Sequence, residues 1–155
     1  MRTTRKPFAV ILLIVLLIFQ SISGLFGGIQ FVIEPSGSII QMPVSSLSHS
    51  PFSDFMIPGI ILLLLLGVFP GFAAFCLISK PTWKWANVLN VYKNRHFAWT
   101  YSVYIAIMLF IWITVEIQMI GFGHFIQTFY AFLGILILIT ALLPGVMSFY
   151  EKDAE

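Results

Sequence analysis

Residues 57–78 read IPGIILLLLLGVFPGFAAFCLI, an unbroken run of 22 positions without a charged side chain. A helix needs ~20 mostly apolar residues to cross the hydrocarbon layer of a bilayer, so this run reads as a membrane span. Three further stretches qualify on either side of it. One runs from Phe8 to about Phe26, interrupted only by Gln20, Ser21 and Ser23. Another runs from Phe97 to about Ile120 with Glu116 as its single charge, and the last from about Phe125 to Met147. Lipid offers the backbone no hydrogen-bond partners, so each span is expected to be a helix. The alternating ~10-residue segments of a membrane barrel are absent. The expected fold class is all-α: a four-helix transmembrane bundle forming one membrane domain over residues 1–155.

Composition agrees. Of the 155 residues, 59% are hydrophobic and 9% charged, where a soluble domain carries about a quarter charged. The net charge of +2 is small, and no basic patch marks a nucleic-acid surface. Cys76 is the single cysteine. That excludes an intrachain disulfide, paired-thiol redox chemistry and a cysteine metal cage; Cys76 reads as a small buried hydrophobe.

Orientation follows from the eight Lys and Arg residues. Arg2, Arg5 and Lys6 precede the first span, Lys80, Lys84, Lys93 and Arg95 follow the second, and Lys152 follows the fourth. The opposite loops, roughly 27–56 and 121–124, hold none. Basic residues concentrate on the cytoplasmic side, which predicts a multi-pass protein of the cell (inner) membrane with both termini cytoplasmic. Residues 1–23 also fit a cleaved leader ending at Ser21-Ile22-Ser23. The apolar run continues through Leu25 and Phe26, which favours a retained span.

In the first outer loop, Ile29–Ile33 and Ser38–Met42 have strand composition and flank Glu34-Pro35-Ser36-Gly37, a turn signature. An extracytoplasmic β-hairpin is expected over 29–42. Gly24, Gly27 and Gly28 read as loosening the end of the first helix. In the inner loop, Trp85, Val88, Leu89 and Tyr92 recur at helical spacing, predicting an amphipathic helix over about 82–93 on the membrane surface. Trp83, Trp85 and Tyr92 are its expected interfacial anchors. Pro70, with Gly67 and Gly71, predicts a kink in the second span, and Pro144-Gly145 another in the fourth.

Glu116 is the most informative polar residue, because an ionisable group within a span is costly. It lies about 19 residues into its helix, roughly 28 Å at ~1.5 Å per residue, which places it near the outer end. His124, Asp54, His49 and Glu34 lie on the same side, and Gln20, Gln30 and Gln127 are available to a shared network. These types can bind metals or relay protons, but no metal-ligand spacing or catalytic motif is present, so no metal and no cofactor is expected. The serines of 45–53 lack a nucleophile elbow.

The stretch from Met42-Pro43 through Ser50-Pro51-Phe52-Ser53-Asp54-Phe55-Met56-Ile57-Pro58-Gly59 to Leu66-Gly67-Val68-Phe69-Pro70 resembles a family of small uncharacterised bacterial four-span integral membrane proteins. His96-Phe97-Ala98-Trp99-Thr100 and Ile111-Trp112-Ile113 extend the resemblance over most of the chain. It implies a bacterial inner membrane and brings no activity. The first reading of function is a non-enzymatic accessory or binding subunit acting through its hairpin or lipid-facing sides. The second is a carrier of a small apolar molecule or lipid in a cavity near Glu116, and the third an enzyme with an outer His/carboxylate site. The expected partners are the bilayer, a second membrane protein or another copy of this chain, and an apolar ligand.

Overall fold

The computed structural model describes residues 6–152; Arg2 and Arg5 lie outside them. Four helices are long and apolar enough to cross a membrane: α1 (Phe8–Ile33), α2 (Met56–Ser79), α3 (Phe97–Ile120) and α4 (Phe125–Leu142). A short α5 (Pro144–Phe149) follows. Neighbouring helices pack around the bundle in chain order, and α4 returns to α1.

The α1–α2 seam is built from small residues. A methyl group on Gly24 would lie 2.0 Å from the Leu66 carbonyl oxygen, and one on Gly28 would lie 2.7 Å from Leu63 Cα. On the facing helix, a methyl group on Gly67 would meet Leu25 N at 2.9 Å. Backbone therefore runs against backbone, the contact that small residues allow between membrane helices. The glycines read as helix-loosening are helical interior, and Gly24 and Gly28 serve this approach.

Where the sequence predicts a kink at Pro70, the helix changes type just before it. Residues Leu62–Val68 wind as a π-helix, and α-helix resumes at Phe69. Pro70 has no N–H for the carbonyl of Leu66, four residues earlier. Gln20 of α1 donates its Nε2 to that oxygen at 3.2 Å, and Ser21 donates its hydroxyl to the Gly67 oxygen at 2.8 Å. The first span's polar residues thus satisfy backbone acceptors in the irregular stretch of the second, as a lipid-embedded helix requires.

The structure corrects the hairpin. No strand occurs among the described residues, and Ile29–Ile33 is the last part of α1. The turn lies where the sequence puts it, with Gly37 N–H donating to Glu34 O at 3.1 Å and Gly37 at φ 74°. Its flanks differ. An apolar β-branched run that continues a membrane helix keeps every backbone bond internal, whereas two lone strands leave both edges open. Residues 38–42 hold a 3₁₀ turn over Ser38–Ile40.

The inner loop differs from expectation too: the 82–93 segment contains one 3₁₀ turn, Trp85–Asn87, and is otherwise irregular. Side chains take the bonds a helix would use. Tyr101 donates to Ala86 O at 2.7 Å, Tyr104 to Leu89 O at 2.9 Å, and buried Asn90 donates to Arg95 O at 2.9 Å while accepting from Thr100. Trp83 and Trp85 stack at 5.6 Å, and Tyr92 meets Trp99 edge-on at 5.2 Å.

His96 starts α3. Its Nδ1 accepts from Ala98 N at 3.2 Å, so the proton sits on Nε2, which donates to Pro81 O at 2.9 Å. Burial holds this imidazole below its ordinary value, and the charges of Lys152 and Lys80 lower it further, against the raising effect of the Pro81 carbonyl. The fourth span stops earlier than the sequence suggests, at Leu142, because Leu143 precedes Pro144 and turns to ψ 133°. The Trp99 indole donates to the Ala141 carbonyl at 2.8 Å, an acceptor that the break leaves without its helical donor.

Candidate functional site

At the end of the bundle away from the basic residues, the helices leave space. Along α2, contact with α3 comes mainly from the part beyond Val68, less from the π segment. Towards Met56 the two separate, and the turn Val44–Leu47 fills the gap against α3. Beneath it lies a cavity of about 270 Å³. Its walls come from all four spans: Gly24, Gly27 and Phe31 of α1, Pro58 and Leu62 of α2, Leu109, Trp112 and Ile113 of α3, and Ile126 and Tyr130 of α4.

The segment between α1 and α2 forms the roof. Ile40, Met42, Leu47 and Phe55 face the cavity. The roof is held at several points. Phe55 N–H donates to Pro35 O at 2.9 Å, its ring stacks on Phe31 at 4.7 Å, and Leu47 and Phe55 are each 3% exposed. The Met42 N–H donates to Gly37 O at 3.0 Å. Gly37 is required here: a methyl group on it would lie 2.1 Å from the Met42 carbonyl oxygen, besides the strain of its positive φ.

Few polar groups reach the walls. Glu116 is one, half-buried on α3, with Trp112, Gln127 and His124 beside it. Gln20 is another and is 1% exposed; its Nε2 is committed to Leu66 O, and its Oε1 has no partner. Gln30, Ser23 and Tyr130 complete the polar set. Gln127 is fully buried behind Glu116 and donates Nε2 to Gly121 O at 2.9 Å, which fastens the α3–α4 turn.

Of the remaining residues singled out by sequence, His124 lies beside Glu116 and the others do not join it. Asp54 Oδ1 accepts from Met56 N at 2.9 Å and caps the start of α2. Glu34 accepts from Ser36 N at 3.3 Å within its own turn. His49 is exposed and bonded to Ser48 Oγ at 3.2 Å, and His124 is exposed at the start of α4. Among the described residues, no three His, Cys, Asp or Glu side chains group as a metal ion would require. Of the five polar residues expected to cluster, only Glu116 lines the cavity.

Sequence reasoning passed over Trp112 and the roof residues, and took Gln20 only as a minor member of a network. The available signal was Gln20 itself, the one amide in the run from Phe8 to Phe26. No family model, no curated protein and no solved structure matches the chain.

Proposed function

We propose that this protein binds an apolar molecule inside the membrane, acting as a carrier or receptor for a lipid-like ligand. The observation that carries the reading is the roofed apolar cavity between the four spans. Its 270 Å³ exceeds the ~150 Å³ of a dry protein cavity that takes up benzene. It approaches the ~300 Å³ lower bound of small-molecule sites, which are likewise mostly apolar with a few placed polar groups. With the hairpin gone, a role built on that hairpin loses its premise. An enzymatic outer site loses its cluster.

The distribution of Lys and Arg supports a cytoplasmic placement for the basic end. The resemblance of residues 42–59 to small bacterial membrane proteins supports the inner membrane as its location. In that orientation the cavity lies in the outer half of the bilayer. Cysteines introduced at Ser36 and at Thr82 test the sidedness, since native Cys76 is buried. In intact cells a membrane-impermeant maleimide should label position 36 and spare position 82; the reverse pattern would invert the assignment.

The binding reading is tested with tail-brominated twelve-carbon amphiphiles added to the protein in nanodiscs. Trp112 lines the cavity, whereas Trp83, Trp85 and Trp99 belong to the basic end. A Trp112→Phe variant supplies the baseline. Saturable quenching of the Trp112 component is expected. Quenching that rises linearly with probe, like that of the other three, would mean contact from bulk lipid and no site.

A further inference from the structure

The polar groups on the cavity wall select a head group. We propose that the ligand is an amphiphile with a primary ammonium head, its charge met by the Glu116 carboxylate; this rests on the cavity being a binding site.

Three observations converge. First, Glu116 is the only formally charged residue on the wall. Second, no Lys or Arg occurs anywhere in residues 7–79 or 97–149, and the imidazole beside Glu116, His124, is exposed, so the protein supplies no permanent cation at this end. An ionised carboxylate in a poorly solvated site needs one, and a ligand cation provides it. Third, the buried wall atom left without a partner is an acceptor. The Leu66 carbonyl can only accept, so it fixes the Gln20 amide with Nε2 toward itself and leaves Oε1 as the free group. An unpaired buried acceptor is costly, and a donor on the ligand recovers that loss.

A primary ammonium fits a wall of acceptors: it has three N–H donors, no acceptor, and a permanent charge opposite to that of Glu116. A carboxylate or phosphate head would meet the negative wall without a donor of matching charge. A hydroxyl head can donate once and brings no charge. A quaternary ammonium brings charge and has no N–H to donate to the carboxylate. The other polar side chains leave this preference standing. Ser23 spends its hydroxyl proton on Phe19 O or Gln20 O, and Gln30 and Tyr130 are only part-buried.

The test ranks four tail-brominated twelve-carbon probes by Trp112 quenching: primary amine, alcohol, trimethylammonium and carboxylate. The amine should saturate at a concentration about tenfold or more below the other three, as a charge-assisted bond replaces none. Glu116→Gln should remove most of the amine's advantage over the alcohol. The ranking on the unaltered protein stands alone should the variant not fold. Equal half-saturation for all four heads would overturn the head-group assignment and leave the apolar site intact. Absence of saturable quenching by any probe would overturn both.

Discussion

Gly24→Ala should destabilise the protein by an amount at the upper end of the ~1–3 kcal/mol that overpacking costs. The added methyl would lie 2.0 Å from the Leu66 carbonyl oxygen and 2.7 Å from Gly67 N. Both are backbone atoms of α2, so no side chain can swing aside. The helices must separate, and separation also lengthens the 3.2 Å Gln20 bond and the 2.8 Å Ser21 bond. Alanine's better helix propensity returns only about 1 kcal/mol. Gly27→Ala is the matched control. Its methyl would meet only the flexible Leu62 Cδ2, at 3.2 Å. Reversible unfolding in mixed micelles should therefore separate two substitutions three residues apart on one helix. Equal stability of the two variants would remove the backbone seam from the account.

Gly27→Phe should abolish saturable binding, raising half-saturation at least tenfold, roughly 1.4 kcal/mol. Gly27 lines the cavity, and the one atom a side chain there would crowd is the flexible Leu62 Cδ2, so a ring can project into the space that a ligand tail would fill. Filling a cavity tends to stabilise a fold by ~0.5–2 kcal/mol. The variant should then be at least as stable as the parent while losing the Trp112 signal. That pairing of gained stability with lost binding separates occupancy of the cavity from general damage. Retained binding in a stable Gly27→Phe protein would place the ligand elsewhere.

The four spans are legible because hydropathy over ~20 residues reports the solvent, and lipid is the solvent here. Their interruptions are legible in part. Pro70 marks an irregularity from its missing N–H, but whether the chain answers with a bend or a π-helix depends on Gln20 arriving from another helix. The turn at residues 34–37 is legible from Pro35 and Gly37, which set local dihedrals. Ile29–Ile33 is ambiguous, since a short β-branched run reads equally as strand or buried helix. Its state is decided by the length of α1, which at 26 residues and ~1.5 Å per residue exceeds the hydrocarbon thickness.

The site was harder to read. Glu116 stands out in any sequence reading because it is a lone charge in a span. Asp54, Glu34 and His49 share its side of the membrane, but local backbone bonds claim the two carboxylates and a neighbouring serine the imidazole. The cavity itself has no sequence signature. It exists because the glycine seam holds α1 close to α2, while α2 and α3 part toward Met56 and leave a gap that residues 40–55 roof. Such a space is a property of three-dimensional divergence between helices, and no periodicity encodes it.

The central claim is that an apolar tail resides under the roof, between the spans, and not merely against the bundle's lipid-facing exterior. Photo-cross-linking with a twelve-carbon amphiphile bearing a terminal diazirine, followed by peptide mass spectrometry, tests it most directly. The account predicts adducts concentrated on Leu109, Trp112, Ile113 and Phe31, competed away by unlabelled amphiphile and absent in Gly27→Phe. Adducts spread over the exposed Val15, Leu64 and Ile139, indifferent to competitor, would contradict it.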